Sequence, residues 1–380
     1  MIAASAGTLG LAYAGPNIAE IDVGAVAQNV TAIRRHVGTG VWLCAALKAD
    51  AYGFGLNEIA RVVLEAGADA LAVDGVTSGV TLRRNGVRAP ILVYPGDVPS
   101  VEVVAILEEH DLIGTIHDEV SLQCISGHAA RRVQVFVKVD SGLQRLGIDP
   151  SAMAEVTRHI LDIDRVSLLG AYTHLLIRDE TPDQPGAVIR QFERFRSAVS
   201  VLPSQSMRMA ASSRVLAAFA GMHLDAVDPG RAIYGLPWAG ATHLQAELGP
   251  ALRSLRTRLL QVRAPVPIGT DEPAAVTLRG VTRIGIIPMG KKDGLARLHA
   301  GHVLVRGRRA NLLGNPGLAH CRVDLSEIAE ARSGDDVVVI GTDGESEITI
   351  ADVLRAHPDL DATEVGVELG RTVERHYVGA

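Results

Sequence analysis

A lysine ends one of the apolar segments of the chain and is followed by a glycine-containing loop. Lys48 comes directly after residues 41–47, which are small and branched apolar residues without a turn former, and the loop after it contains Gly53 and Gly55. Such a segment predicts a buried strand that ends where the loop begins. An amine held at a strand end can condense with a carbonyl group to form a Schiff base. On its own, the position also fits a solvated surface lysine.

Length and composition indicate a globular chain with more than one domain. The 380 residues exceed the size at which a single hydrophobic core usually stops growing, so a large first domain and a smaller second one are expected. Hydrophobic residues make up 47% and charged residues 21%, which excludes a disordered or coiled-coil chain. The net charge of −6 gives no electrostatic basis for nucleic acid or an anionic membrane as a partner. Any bound phosphate must therefore be held by local contacts.

Cysteine usage and the N-terminal segment predict a cytoplasmic protein. Cys44, Cys124 and Cys321 are far apart and form no C-x-x-C pair, which fits a reducing compartment without a structural disulfide or a metal site. No Lys or Arg precedes Arg34, so the charged region of a signal peptide is missing. No apolar run approaches the roughly 18 residues that a membrane span needs.

Alternating apolar and amphipathic segments predict an α/β fold with a barrel. Strand-like runs alternate with segments such as 56–66 and 186–202, which carry apolar residues at three- and four-residue spacing, and this alternation is typical of parallel βα units. Eight units fit a closed (β/α)8 TIM barrel, and a doubly wound sheet is disfavoured because no G-x-G-x-x-G follows a strand. The predicted strands are residues 18–23 as a lead-in, then 41–47, 70–73, 91–94, 112–116, 133–139, 166–172, 207–210 and 226–227.

The residue pattern of the sequence changes after Gly249. Short runs rich in Val, Ile, Arg and Gly, at 281–289, 302–306 and 336–340, predict a C-terminal mainly-β domain. The predicted domains are an N-terminal segment, 1–16, that can join the β domain, a barrel over 17–245, and the β domain over 246–380.

Five motifs in this order resemble the alanine racemase family, whose members are fold type III enzymes of pyridoxal 5'-phosphate (PLP). The resemblance spans nearly the whole chain and implies an N-terminal (β/α)8 barrel, a C-terminal β domain, a small amino-acid substrate and a homodimer with shared active sites. The motifs are Ala19-Glu20-Ile21-Asp22, Lys48-Ala49-Asp50-Ala51-Tyr52-Gly53-x-Gly55, Lys138-Val139-Asp140-Ser141-Gly142 with Arg145 and Gly147, Thr173-His174, and Pro229-Gly230-x-Ala232-x-Tyr234-Gly235-Leu236.

The resemblance assigns the cofactor-binding residues one by one. Lys48 is implied as the Schiff-base lysine, and Tyr52 as the tyrosine whose hydroxyl bonds the cofactor phosphate. Ser213 and the backbone amides of Gly230 and Arg231 follow the seventh and eighth strands, where barrels commonly hold phosphate. Amides and hydroxyls can bind a dianion there without net positive charge.

Three further positions carry implied roles around the cofactor ring. Arg145 is implied near the phenolic oxygen of PLP and the substrate carboxylate, a role suited to a fixed and always charged fork. Lys138 matches a position that is often carbamylated in the family and bridges to that arginine. His174 is implied behind the pyridine ring.

The chain departs from the family pattern where the ring nitrogen is implied to lie. Asp228 stands where family members have an arginine facing that nitrogen. A carboxylate within hydrogen-bond reach favours the protonated ring and so a stronger electron sink. His174 is expected to orient this carboxylate.

A second set of departures concerns the substrate side. Lys291 replaces the tyrosine that acts as the opposite base in the family, and it can serve as a base where desolvation and the nearby Lys292 lower its pKa. Leu318 replaces the methionine whose amide meets the substrate carboxylate. Phe54, Ser212 and Arg371 replace a histidine, an asparagine and a tyrosine of the pattern.

These residues predict a PLP-dependent enzyme that acts at the α carbon of a small amino acid through Lys48. The first hypothesis is an alanine-racemase-like racemase or epimerase with Lys291 as a non-standard second base. The alternatives are one-base PLP chemistry, such as decarboxylation, aldol-type cleavage or elimination, and a PLP-binding protein without turnover.

Overall fold

The parallel strands of the barrel come from contiguous apolar segments. The computed structural model describes residues 15–177, 186–240, 242–266, 278–370 and 372–379. After β1 (Ile18–Asp22), the barrel strands are β2 (Trp42–Ala46), β3 (Ala70–Val73), β4 (Ile91–Val93), β5 (Gly114–Ile116), β6 (Val133–Lys138), β7 (Val166–Tyr172), β8 (Met207–Ala211) and β9 (Ala226–Val227). Because helices cover a barrel sheet on its outer face and side chains fill its interior, these strands carry apolar residues on both faces.

The eight strands close into a ring. Their order is β4-β3-β2-β9-β8-β7-β6-β5, and a parallel bridge between Leu92 and Ile113 joins the two outer strands. The Val93 amide donates to the Ile113 carbonyl at 2.8 Å across this junction. The interior is packed with side chains such as Phe136, Tyr172 and Met209. The predicted (β/α)8 barrel is therefore confirmed.

Amphipathic helices follow the strands and bury one face against them. In the helix Leu56–Glu65, for example, the buried residues Leu56, Ile59, Ala60 and Val63 recur at helical spacing. The α-helices assigned in this part of the chain are Val23–Val37, Leu56–Glu65, Val76–Arg84, Val101–Glu109, Glu119–His128, Met153–Leu161, Gly186–Ala198, Ser213–Ala218 and His243–Glu247, with 3-10 turns at Pro150–Ala152, Val199–Val201, Ala220–Met222 and Arg231–Tyr234.

The C-terminal part is mainly β, as predicted. Its strands are β10 (Leu252–Arg258), β11 (Gln261–Arg263), β12 (Ile284–Ile287), β13 (His302–Val305), β14 (Arg308–Asn311), β15 (Cys321–Asp324), β16 (Asp336–Asp343), β17 (Ser346–Ile348) and β18 (Glu374–Val378), with a helix at Ile350–Ala356 and 3-10 turns at Lys291–Asp293 and Ala362–Glu364. One sheet has the order β14-β13-β16-β10-β1-β18 with β17 on β16, and a second has the order β11-β12-β15. Leu304, Val338 and Ile348 form an apolar cluster in the first sheet.

Two compact units divide the described residues. One contains 21–252, 361–367 and 377–379, and the other contains 15–20, 253–360, 368–370 and 372–376. The short segment 361–367 thus belongs with the barrel. The boundary after residue 245 stays a prediction, and most of the predicted segment 1–16 lies outside the described residues. None of the helices that the structure describes is long and apolar enough to cross a membrane.

Candidate active site

Polar side chains gather at the C-terminal ends of the barrel strands, the end where barrel enzymes place their chemistry. Together they line one open cleft of about 1670 Å³, a volume that includes solvent at its mouth. All nine barrel residues that the sequence predicts for the site lie on this cleft: Lys48, Tyr52, Lys138, Arg145, His174, Ser213, Asp228, Gly230 and Arg231.

A left-handed turn separates Lys48 from the next helix. Ala49, Asp50, Ala51 and Tyr52 all have φ between 54° and 55°, a conformation that costs a residue with a side chain roughly 1–2 kcal/mol. The turn is held by the amide of Ala49, which donates to the Asp74 carboxylate at 2.6 Å, and by the Asp50 carboxylate, which accepts from the Leu56 amide at 2.8 Å. Strain of this kind persists where the surroundings impose it, and it is typical of functional sites.

The Lys48 amine has a lowered pKa. Burial among the cleft walls is the largest cause; Arg145 adds to the lowering, while Asp228 and Asp74 oppose it. The side chain itself remains exposed within the cleft. A lowered pKa increases the fraction of free amine at neutral pH, and the free amine is the nucleophilic form.

Lys138 and Arg145 are two further cations on the cleft. Lys138 is buried at the end of β6, its ammonium lies 4.6 Å from the centre of the Tyr172 ring, and burial lowers its pKa to about 8. Arg145 follows a loop in which the Asp140 carboxylate accepts from the amides of Gly142, Gln144 and Arg145 at 2.9, 3.0 and 3.2 Å. Neither cation has a hydrogen-bonded carboxylate partner among the described side chains, so both remain available to a ligand.

Asp228 is a buried carboxylate with one oxygen engaged and the other unengaged. The Tyr94 hydroxyl donates to Oδ2 at 2.9 Å, while Oδ1 is buried and has no hydrogen-bond partner in the described part of the chain. Burial raises the pKa of this carboxyl to about 6, against the opposing effects of Tyr94, Lys138 and Lys48. A buried acceptor without a donor is costly, so Oδ1 is a position where a ligand donor would be stabilised.

His174 lies on the cleft. The sequence predicted that it orients Asp228, and this prediction is wrong. Asp228 accepts from Tyr94 instead. Burial lowers the pKa of His174 to about 3, and the neighbouring Lys138, Lys48 and Arg145 add to this effect. The ring is therefore neutral at physiological pH.

A small polar corner lies between β8 and the loop after β9. The Ser213 hydroxyl oxygen accepts from the amides of Gly230 and Ala232 at 3.1 and 3.0 Å, which leaves its own proton for a further acceptor. The Arg231 amide begins the 3-10 turn Arg231–Tyr234, where backbone N–H groups have no partner within the turn. The Arg231 guanidinium is bound to the Asp361 carboxylate. The Gly230 amide, predicted to bind phosphate, donates to Ser213 instead. This corner can still hold an anion through hydroxyls and the Arg231 amide.

Gly230 allows Tyr52 to reach this corner. A Cβ at residue 230 would lie 2.3 Å from the Tyr52 hydroxyl. We expect Gly230→Ala to displace that hydroxyl and to weaken binding of a phosphate-bearing cofactor by about tenfold or more, roughly the loss of one charge-assisted hydrogen bond. Fluorescence titration of the apoprotein with PLP measures this. Gly127→Ala is the matched control, because a Cβ there meets nothing within 4 Å; equal affinity in the two variants would contradict the expectation.

The second unit presents Lys291 and Leu318 side by side. The Lys291 amide donates to the Gly317 carbonyl at 2.9 Å, and the Lys292 amide donates to the Leu318 carbonyl at 3.0 Å. Both side chains are exposed, Leu318 by 74%. The Lys292 ammonium is bound to the buried Asp293 carboxylate at 2.6 Å, so Lys292 anchors the turn that displays Lys291.

Asp74 and Tyr94 are among the cleft residues that the sequence analysis missed. Each directly follows a barrel strand, β3 and β4, and that position at a strand's C-terminal end was the available signal. Arg371, predicted at the site entrance, lies outside the described residues.

Comparison with known proteins shows which family the chain resembles. The family profile "Alanine racemase, N-terminal domain" matches residues 21–237, and "Alanine racemase, C-terminal domain" matches residues 255–377. The chain is 34% identical over 374 residues to the alanine racemase of Symbiobacterium thermophilum, covering 96% of this chain and 97% of that protein. The chain belongs to the alanine racemase family. It is also 33% identical to alanine racemase 1 of Bacillus subtilis over 347 residues, 88% of this chain and 86% of that one.

Solved structures of the alanine racemase family share the fold. Alanine racemase from E. faecalis superposes with a TM-score of 0.84 at 26% identity, covering 97% of this chain and 99% of that one. Alanine racemase from Bacillus anthracis with bound L-Ala-P gives 0.84 at 25% identity, covering 97% of each chain. Enzymes of this family are PLP-dependent isomerases, and this chain is an enzyme of that kind.

Proposed function

We propose that the protein is an amino-acid racemase or epimerase that binds PLP through Lys48 and acts at the α carbon of a small amino acid. The observation that carries the proposal is the joint presence, on one cleft, of a lysine with a lowered pKa, an anion-binding corner and a buried carboxylate oxygen without a partner. Production of racemic product from either enantiomer of a small amino acid tests it, and a chirally pure solution after prolonged incubation would contradict it.

The cleft residues fit PLP at both ends of the cofactor. Ser213, the Arg231 amide and the Tyr52 hydroxyl would hold the phosphate, and Asp228 Oδ1 would accept a hydrogen bond from a protonated ring nitrogen. Lys48 would hold the cofactor through its amine. PLP itself supplies an electron sink that stabilises negative charge at the substrate α carbon.

Lys48 would also move the substrate proton on one face. The Lys48 amine lies on the same cleft and has a lowered pKa, so in its free form it would accept the α proton of a bound substrate. Arg145, whose guanidinium is uncommitted among the described contacts, would hold the substrate carboxylate.

Lys291 would serve the other face from a second copy of the chain, with the Leu318 amide beside it. Loss of Lys291 should then stop proton transfer on one face of the substrate and leave transfer by Lys48 on the other face. We expect Lys291→Ala to slow interconversion of enantiomers by about 10²-fold or more, while α-proton exchange of one enantiomer in deuterium oxide persists through Lys48. Chiral chromatography and proton NMR measure the two rates.

A suitable control is Arg308→Ala, which removes another exposed cation from the same unit. Unchanged racemisation in Lys291→Ala would remove Lys291 from the mechanism. Loss of exchange for both enantiomers would show that Lys291 does more than serve one face.

One-base chemistry is the second candidate, and Asp228 is the observation that favours it. A carboxylate at the ring nitrogen strengthens the electron sink, which suits decarboxylation, aldol-type cleavage or elimination, and these reactions need no base opposite Lys48. Release of carbon dioxide, aldehyde or ammonia from a panel of amino acids, without racemisation, would establish this candidate instead.

Carbamylation of Lys138 is also proposed. A pKa of about 8 leaves part of its amine free near neutral pH to react with carbon dioxide, and the nearby Arg145 would stabilise the negative carbamate. We expect one carbamate carbonyl signal in carbon-13 NMR after exchange with labelled bicarbonate. The signal should be absent from Lys138→Ala; its presence there, or its absence from the unmodified protein at pH 8, would contradict the proposal.

A further inference from the structure

The contact between Tyr94 and Asp228 gives the two carboxylate oxygens different surroundings. β4 and β9 are separated in the sheet by β3 and β2, so the Tyr94 side chain, at the end of β4, reaches Asp228 across the barrel end. Its hydroxyl donates to Oδ2 at 2.9 Å, and Oδ1 is left buried and without a partner among the residues described. Fixing one oxygen by a hydrogen bond restricts rotation of the carboxylate, so Oδ1 is presented in one direction.

We propose that Tyr94 is the positioning residue for Asp228. The hydrogen bond from Tyr94 holds the Asp228 carboxylate ionised and turned so that Oδ1 keeps a proton on the ring nitrogen of the bound cofactor. This inference rests on the proposed function. It adds a residue that the family resemblance did not assign and pairs it with the substituted position Asp228.

The chemistry of the pair determines where the proton lies. Burial, followed by the nearby Asp228, raises the pKa of Tyr94 well above its usual value, so the hydroxyl keeps its proton and always donates. A hydrogen bond to the ionised carboxylate makes that carboxylate a weaker base. The proton between the ring nitrogen and Oδ1 would then lie on the ring nitrogen. Without Tyr94, the carboxylate becomes more basic and draws the proton toward itself.

The other side chains near Asp228 do not duplicate this contact. Lys138 and Lys48 act on Asp228 through charge alone. Cys44 is buried nearby, and burial raises the pKa of its thiol, so it stays neutral. Tyr172, whose ring centre lies 5.6 Å from that of Tyr94, places its hydroxyl 3.3 Å from the Thr115 hydroxyl. Tyr172 is therefore a matched buried tyrosine that has no hydrogen bond to Asp228.

The test is nitrogen-15 NMR of PLP labelled at the ring nitrogen and bound to four proteins: the unmodified chain, Asp228→Asn, Tyr94→Phe and Tyr172→Phe. We expect a protonated ring in the unmodified chain and in Tyr172→Phe, and an unprotonated ring in Asp228→Asn. Tyr94→Phe should shift the partition of the proton toward the carboxylate by about tenfold or more, which is the effect of losing one hydrogen bond to a charged group.

Each outcome decides one part of the proposal. If the unmodified chain binds no PLP, the proposed function is wrong. If it binds PLP with an unprotonated ring, the proposed contact between Asp228 and the ring nitrogen is wrong. Tyr94→Phe with the same signal as the unmodified chain, or a Tyr172→Phe signal that shifts equally, overturns the role of Tyr94 alone. Titration of the Asp228 carboxyl by carbon-13 NMR of the apoprotein gives an independent readout, since its pKa should rise in Tyr94→Phe. Tyr94→Leu removes the same donor if the phenylalanine variant does not fold.

Discussion

Lys48→Ala should lose the covalent bond to PLP and with it almost all activity. Lys48 is proposed both to bond to the cofactor aldehyde and to move the α proton, so we expect turnover to fall by at least about 10⁴-fold. The yellow absorbance of the bound cofactor should disappear, because no other amine of the barrel is proposed to bond to the aldehyde. Steady-state kinetics and absorbance spectra of the purified variant measure both effects.

The thermal stability of Lys48→Ala shows whether its loss of activity is due to misfolding. The Lys48 side chain is exposed within the cleft, so its truncation leaves no cavity in the core and should leave thermal unfolding nearly unchanged. Lys48→Arg is a matched variant that keeps the positive charge but lacks the nucleophilic amine, and it should be equally inactive. A yellow, active Lys48→Ala protein would exclude the proposed chemistry.

Asp228→Asn should have the second largest effect. The amide keeps the shape of the carboxylate but cannot hold the negative charge that stabilises a protonated ring nitrogen, so we expect α-proton exchange to slow by about 10²-fold. Proton NMR in deuterium oxide measures this rate. Glu155→Gln is the control, since it neutralises an exposed carboxylate of the same unit that does not line the cleft, and equal losses in the two variants would argue for a general charge effect.

The same substitution should change how the stability of the apoprotein depends on pH. The folded-state pKa of Asp228, about 6, lies above its ordinary value of 3.8, so the stability that this group contributes is present below pH 3.8 and is lost as pH rises through 6. Asn does not titrate. Asp228→Asn should therefore gain stability over the unmodified apoprotein as pH rises from about 4 to 7, by at most about 3 kcal/mol. Urea unfolding across this range measures it, and a gain at low pH instead would contradict the sign.

The barrel was predictable because its strands are buried on both faces. Residues 70–73, 166–172 and 226–227 form strands with the predicted bounds, since contiguous apolar runs between turn signals are typical of parallel sheets. Predicted strand 112–116 is shorter in the structure, at Gly114–Ile116, and residue 113 contributes only a single bridge.

Other parts of the site depend on contacts that sequence patterns do not encode. The left-handed turn after Lys48 contains two alanines, which carry no local preference for positive φ, so it is imposed by tertiary contacts such as that from Asp74. Tyr94 looked like the last residue of an apolar strand. Its contact with Asp228 joins residues 134 positions apart, and no local pattern reports such a distance.

The small number of lysines makes the proposed bond between Lys48 and PLP easy to test. The chain contains four lysines, Lys48, Lys138, Lys291 and Lys292. Borohydride reduction of the PLP-loaded protein, followed by peptide mass mapping, locates the cofactor among them. We expect the mass of reduced PLP on Lys48 alone, with none in Lys48→Ala. The same mass on Lys138, or no modified lysine at all, would contradict it.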